Sequence, residues 1–325
     1  MAEKIAKTPL GIQSKHTDSK RAQGRFYTLG NPFTLKPFRR WAKRAGIPGV
    51  CILEPFAGAN HIIHTLSDLD LCKDFISYDI NPNNNAVKKR NTIERFPKGY
   101  KVCVTNPPWL ARNSATRRGL PYPQTAHDDL YKHCLELCLH NCRYVAALIP
   151  ASYLQSGLFR ERLHSYILLH KTIFNDTENP VCLALFDNKT NGKVWIYADD
   201  CCIGTLNALE SSLPEPKRDK KIRFNDPNGQ LGFISFDNTR EPSIRFCRSA
   251  EIKDYQIKHS SRFITRIGGE FKNLSALIKK LNRKITSFRE DTEDIFLTPF
   301  KGIRSDGRYR RRMDFNLARR FINST

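Results

Sequence analysis

Through the first 190 residues, short continuous apolar runs alternate with stretches whose apolar positions recur every three or four residues. Continuous runs suit strands buried on both faces, and the wider spacing suits amphipathic helices. A helix is predicted over Pro37 to Ala45, ended by "GIPG". The expected order thereafter is a strand at Val50 to Glu54, a helix at Asn60 to Leu69, a strand at Phe75 to Asp79 and a helix at Asn83 to Arg95. A strand at Tyr100 to Thr105, a helix at His127 to Asn141, a strand at Tyr144 to Ile149 and a helix at Leu158 to Ser165 follow, then strands at Ile167 to Phe174 and Val181 to Phe186. Such alternation predicts right-handed crossovers and a mainly parallel α/β sheet covered on both faces, with ligands bound beyond the carboxyl ends of its strands.

The texture changes from about Gly192. "SSLPEPKRDKK" reads as a linker or exposed loop, and "PNGQLGFISF" as a turn into a short strand. Phe271, Leu274, Ile278, Leu281, Ile285 and Phe288 form a helical stripe flanked by Lys279, Lys280, Arg283, Lys284 and Arg289. The expected organisation is a basic tail over 1–24, an alternating α/β domain over 25–190, and a smaller, strongly basic region over 191–325.

Charge narrows the partner class. Lys and Arg number 54 against 32 Asp and Glu, a formal net charge of +22, and the pI is about 9.7. A polyanion is implied, nucleic acid before acidic membrane. No apolar run is long enough to span a bilayer, and the N-terminal residues lack a signal-peptide core, so a soluble, cytoplasmic or DNA-associated protein without a membrane partner is expected. Ten cysteines lie scattered in apolar settings, as buried thiols in a reducing compartment would. Cys134, Cys138 and Cys142 share a helical face near His133 and His140, but zinc ligands usually come in tighter pairs, so core thiols and no metal are expected.

Three stretches carry candidate chemistry. In "ILEPFAGANH" an acid, Glu54, precedes a bend of small residues, Pro55, Ala57 and Gly58, where backbone N–H groups can approach a ligand. In "SYDINP", Asp79 and Ile80 stand at the tip of the next strand, about 20 to 25 residues on, where an acid can bind ribose hydroxyls. The dinucleotide fingerprint G-x-G-x-x-G is absent, which disfavours NAD. In "TNPPWL", Pro107 and Pro108 forbid both strand continuation and an immediate helix. The result is a stiff corner that leaves the Asn106 side chain and the Pro107 carbonyl to face something else.

"LEPFAGA", "YDINP" and "TNPPW" in this order, each after an apolar strand, resemble the cofactor, ribose and catalytic motifs of the S-adenosylmethionine-dependent amino-group DNA methyltransferases. "GRFYT" upstream is similar to that family's displaced N-terminal cofactor motif, and the basic C-terminus completes the order of the gamma class, TaqI-like N6-adenine enzymes. The resemblance covers roughly residues 24 to 187 and implies a Rossmann-like methyltransferase domain with S-adenosylmethionine as cofactor. It implies contacts to that cofactor from Tyr27, Thr28, Glu54, Pro55, Ala57, Gly58, Asp79, Ile80 and Asn106. It assigns Asn106, Pro107, Pro108 and Trp109 to catalysis, with Trp109 and Phe174 stacking on a flipped-out adenine. Glu94 matches the acid that would meet the cofactor adenine or, equally, a solvent-facing helix end. Two departures stand out: Asn60 replaces a usual glycine, and Leu29 a usual proline.

Double-stranded DNA is the implied partner, with a possible cognate restriction endonuclease. Arg304, Arg308, Arg310, Arg311 and Arg312 in "GIRSDGRYRRR" are the expected DNA contacts. Rival readings are an RNA adenine methyltransferase, a protein glutamine methyltransferase of the release-factor type, whose corner carries Tyr where Trp109 stands here, and a nucleic-acid-binding module on an inactive fold.

Overall fold

The computed structural model describes residues 31–170, 179–189 and 192–325. By compactness these fall into two units: 31–149 with 185–188, and 150–170 with 179–184, 189 and 192–325. The expected basic tail, with Tyr27, Thr28 and Leu29, lies outside the described residues, as does Phe174.

A short 3₁₀ turn (Pro32–Thr34) and then helix α1 (Lys36–Ala45) open the described first unit. The helix buries Phe38, Trp41 and Ala42, and Gly46 ends it in a left-handed conformation (φ 90°) that costs glycine little. The Trp41 indole donates to the buried Asp187 carboxylate (3.0 Å), and Arg44 pairs with the same group. Strand β1 (Ile52–Glu54), helix α2 (His61–Asp68), strands β2 (Phe75–Asp79), β3 (Val87–Lys89) and β4 (Val102–Thr105), helices α3 (Arg112–Arg117) and α4 (Leu130–Asn141), and strand β5 (Tyr144–Pro150) follow. Four parallel pairings give the order β3-β2-β1-β4-β5, with Ile52 facing both Phe75 and Val102. Every residue of β1 and β4 is buried, which explains why neither alternates in polarity. Cys134 and Cys138 on α4 and Cys142 just after it are buried, and the Cys103 thiol of β4 adjoins the last two; burial pushes the Cys103 and Cys134 thiols up.

Two elements differ from the sequence expectation. The Asn83 to Arg95 segment forms no helix. Asn84 Oδ1 accepts from Ala86 N (2.8 Å) and its carbonyl accepts from Val87 N (3.1 Å), so the asparagine run makes a turn that delivers Val87 to β3. Val87 is the single buried residue of that strand, and one apolar position cannot support a helical stripe. The Leu158 to Ser165 segment is likewise not a helix. A 3₁₀ turn over Ala151–Ser156 precedes it, and strand β6 (Leu163–Leu169) begins four residues earlier than the expected Ile167, buried along nearly its whole length.

Strands β7 (Val181–Phe186), β8 (Trp195–Ala198) and β9 (Cys201–Thr205) complete a nine-stranded sheet of order β3-β2-β1-β4-β5-β7-β6-β8-β9. Pairs β6/β8 are parallel and β8/β9 antiparallel. The protein is thus α/β with a large, mainly parallel central sheet of Rossmann-like, doubly wound order.

After helix α5 (Leu206–Glu210), the rest of the second unit is built differently. Strands β10 (Arg223–Phe224), β11 (Leu231–Ile234), β12 (Arg245–Arg248) and β13 (Ile264–Gly268) make an antiparallel sheet of order β10-β13-β11-β12. Its inner face, with Leu231, Phe233, Phe246 and Ile267, packs with helix α6 (Leu274–Thr292) through Leu277, Leu281, Ile285 and Phe288. The hairpin β14 (Thr298–Ile303) and β15 (Tyr309–Arg312) leads to helix α7 (Phe315–Asn323), which contributes Leu317, Phe321 and Ile322 to the same core. Burying four such side chains on α6 contributes about 6 to 12 kcal/mol in transfer free energy, at 1.5 to 3 kcal/mol each.

Polar order in this unit centres on Asp237, which is fully buried. Its carboxylate accepts from Arg289 Nη1 (2.7 Å) and Nη2 (2.8 Å), Arg304 Nη1 (2.7 Å), Ser243 N (2.8 Å) and Arg311 N (3.1 Å). Asp294 and Asp306 complete the pairing of Arg289 and Arg304 respectively. The charges are therefore compensated, as buried ions must be.

Candidate functional site

Strand order locates the site. The chain steps from β1 outward through β2 and β3, then returns to lay β4 and β5 on the other side of β1. In sheets of this order the ligand crevice lies beyond the carboxyl ends of the strands where the winding direction reverses, which here is at β1 and β4. Glu54 ends β1, Asp79 ends β2, and Asn106 follows the last residue of β4.

Loop 55–60 is fixed from several directions. Ala57 N donates to Tyr78 O (2.9 Å), and Gly58 N to Asp79 Oδ2 (2.9 Å). Thr92 Oγ1 donates to Pro55 O (2.8 Å), and Asn83 N to Gly58 O (3.2 Å). Gly58 (φ 54°) and Asn60 (φ 67°) both turn left-handed, which is the conformation that glycine, and among other residues asparagine, adopts most cheaply. Asn60 is fully buried and its Oδ1 accepts from Ser77 Oγ (2.7 Å), a bond that glycine there would lack. Thr92, Ser77 and Asn83 were not singled out by sequence, and no linear signal marks them, because each acts from a separate segment.

The two acids differ. Asp79 is half-buried, and its other oxygen accepts from Asn81 N (2.8 Å), which holds the carboxylate at the strand tip. Glu54 is 1% exposed, and its Oε2 has no hydrogen-bond partner among the described residues. Burial, and then the Asp79 charge, hold its carboxyl well above the ordinary range. A buried acid so placed favours a cationic group brought alongside it. Ile80 is 48% exposed and offers an apolar surface next to Asp79, whereas Glu94 is exposed on the segment after β3.

At the corner, Asn106 is half-buried with its Oδ1 atom inside the protein, Pro107 is buried, and Trp109 is 8% exposed. The chain beyond is stapled. Leu130 N donates to Leu110 O (2.9 Å), Arg112 N to Asp128 O (2.8 Å), and Arg112 Nη2 to His127 O (2.6 Å). Leu110, Ala115, Leu130 and Cys134 form a small apolar cluster against which Phe56 of the first loop also packs. Loop 55–60 and the corner therefore share one support. Burial pushes the Asp129 carboxyl there up to about 6.

The arginines expected to hold DNA are placed unequally. Arg304 and Arg311 are 4% and 5% exposed and belong to the interior around Asp237. Arg308 is exposed but pairs with Glu293 (3.0 Å). Arg310 donates to Asp237 O (2.8 Å) and lies over the rings of Phe236 and Phe300. Arg312 is half-buried on β15. Among the described residues, no helix is long and apolar enough to cross a membrane and no cluster of His, Cys, Asp or Glu suits a metal ion.

No family model matches the chain, and no curated protein matches it in sequence. Solved structures do. A modification subunit assigned to a type I restriction enzyme from Vibrio vulnificus is 15% identical, with 57% of this chain and 50% of that one covered (TM-score 0.37). The type I restriction-modification methyltransferase subunit from Streptococcus thermophilus is 16% identical, with 54% and 47% covered (TM-score 0.37). The EcoKI M protein is 14% identical, with 79% and 71% covered (TM-score 0.35). The chain spans about half the length of the first two. The α/β assignment rests on strand order and register and stands without these likenesses.

Proposed function

We propose that this protein is an S-adenosylmethionine-dependent DNA methyltransferase that modifies the N6 amino group of adenine, with the gamma-class motif order, in a restriction-modification, viral or solitary setting. The observation that carries this is the convergence of three motifs on one crevice: a buried acid with a tight bend after β1, an acid at the tip of β2, and Asn-Pro-Pro-Trp after β4. The residues fit the cofactor. Glu54 suits its cationic methionine end, the loop at Pro55, Ala57 and Gly58 lets backbone approach closely, Asp79 suits ribose hydroxyls, and Ile80 suits an apolar ring face. The sequence resemblance adds Tyr27 and Thr28.

The bound cofactor supplies an electrophilic methyl group on sulfonium. The chain's task is to make a poor nucleophile attack. An adenine amino lone pair is delocalised into the ring, and acceptors on its two hydrogens localise and aim it. Asn106 Oδ1 and the Pro107 carbonyl are those acceptors, and the Pro107-Pro108 pair holds them without a competing backbone donor. Trp109 and Phe174 are the walls for the flipped base. Duplex DNA is the partner in this reading, together with a cognate endonuclease where one exists.

The test is transfer of labelled methyl from S-adenosylmethionine to duplex DNA, RNA and a protein extract in parallel, with nucleoside analysis of the product. N6-methyladenine in DNA is the expected result. Label confined to RNA or to protein glutamine moves the function to the corresponding rival.

A further inference from the structure

Among the described residues, a second group of cations lies outside the arginine-rich hairpin. An open cleft of about 420 Å³ lies beside α6 and α7, with Lys217, Lys280, Arg283 and Lys284 in its lining and Glu215 and Asp291 as the acids there. Lys280, Arg283 and Lys284 fall three and four residues apart on α6 and so share one helical face. The segment carrying Lys217 is tied down opposite them: the backbone N–H groups of Lys217 and Arg218 both donate to Asn323 O, at 2.9 and 3.2 Å. Lys284 Nζ donates to Ser324 O (2.8 Å) and Ser324 Oγ (3.1 Å), which fixes its ammonium at the cleft.

Two features show that the cations are crowded together. Among the described residues, none of Lys217, Lys220, Lys280, Arg283 and Lys284 is ion-paired with a carboxylate, whereas Arg304 and Arg308 are. The ammonium groups also disfavour one another. Burial, then Lys280 and Lys217, lowers the pKa of Lys284, and burial, then Arg218 and Lys280, lowers that of Lys220. A fold that keeps like charges this close gains when an anion enters.

We propose that this cleft grips the phosphodiester backbone of duplex DNA. The inference rests on the DNA reading above and says where the duplex is held. Phosphate contacts of this kind position the duplex without reading its sequence. A lipid surface fits less well, since none of the exposed large apolar side chains, Ile80, Trp195, Tyr255, Phe263 and Ile303, lines the cleft to insert into a bilayer.

The experiment is DNA binding by the full chain as a function of salt, for the wild type and for Lys217→Gln, Lys280→Gln and Arg283→Gln combined. All three side chains are exposed, and Lys284 is left intact because it bonds to Ser324. Three lost phosphate contacts should reduce the slope of log K against log salt by roughly 2 to 3, at about 0.9 per contact. The Lys301→Gln control should keep the wild-type slope. If the triple variant melts early, the single Lys280→Gln should still remove about one contact's worth. An unchanged slope in a folded variant, or a wild type that binds phosphatidylserine vesicles and not DNA, overturns the proposal. Methyl transfer to the same oligonucleotide separates the two readings. Transfer with an unchanged slope removes only the cleft, and a lost slope without transfer by the wild type removes only the enzyme.

Discussion

Replacing Glu54 with Gln tests whether the acid at the end of β1 is the counter-charge for a cationic cofactor. Glu54 is 1% exposed and sits near Asp79, so its carboxyl is held well above the ordinary range, first by burial and then by the neighbouring charge. A carboxyl with a raised folded pKa costs stability as pH rises from its unfolded value, about 4.3, to its folded one, at 1.36 kcal/mol per unit. Glu54→Gln should therefore melt higher than wild type near pH 7 and lose that advantage near pH 4. Binding runs the other way. A cation requires the carboxylate, so below the raised pKa each bound S-adenosylmethionine should release one proton and affinity should climb about tenfold per pH unit. The Gln variant should lose that slope and, where the wild-type acid is ionised, bind about 10- to 150-fold more weakly, the value of a charge-assisted hydrogen bond at 1.5 to 3 kcal/mol. Calorimetric titration between about pH 6 and 8, in two buffers of different ionisation enthalpy, counts the proton directly. A wild type that releases no proton, with equal affinity in Glu54→Gln, would refute the counter-charge role.

Three further outcomes follow from the same geometry. Asn106→Ala should abolish methyl transfer while DNA binding largely survives in equilibrium assays; retained turnover would remove Asn106 from catalysis. Thr92→Val loses the 2.8 Å bond to Pro55 O and should cost about 1 kcal/mol of stability in urea melts while raising KM for the cofactor, and an unchanged KM would show that loop 55–60 needs no such brace. Asp237→Ala breaks the buried pairs to Arg289 and Arg304, each of which keeps a second carboxylate, and should cost about 3 to 5 kcal/mol in urea melts, with a loss under 1 kcal/mol refuting the clamp. Burial pushes the Asp237 carboxyl up, but its arginines outweigh that and hold it below the ordinary value, so its contribution should be present above about pH 4 and fade as pH falls further.

The central sheet was legible because β1, β2, β4 and β5 are apolar runs with short polar boundaries, and α4 announces its inward face through Leu135, Cys138 and Leu139. Strand β3 was not, since one buried valine among asparagines and lysines carries no period. The antiparallel sheet of the second unit was foreseen only at β11. Its companions "RF", "RFCR" and "ITRIG" are short and put arginine on their outer faces, which reads as surface loop. At the crevice, the acids and the Asn-Pro-Pro corner were visible because each ends a strand. Arg304 looked like surface charge because the carboxylate that draws it inward, Asp237, lies 67 residues away, and Arg311 because its guanidinium is buried against a backbone carbonyl, Leu297 O, that leaves no mark in the sequence.

The Asp237 carboxylate gathers four segments of the second unit at one polar point. It collects donors from the loop after β11, from α6, from the turn beyond β14 and from β15. Drift in sequence meets an unusual barrier there. An apolar side chain at 237 takes one of two carboxylate partners from each of two guanidinium groups, leaving Arg289 to Asp294 and Arg304 to Asp306, and an apolar side chain at 289 or 304 takes from the acid one of its two guanidinium partners. A wholly apolar version of this junction is reachable in principle, but only by several substitutions, because each single step breaks a buried ion pair before the next can be replaced. The junction is therefore an evolutionary trap. The four segments it joins are thereby kept in register with one another.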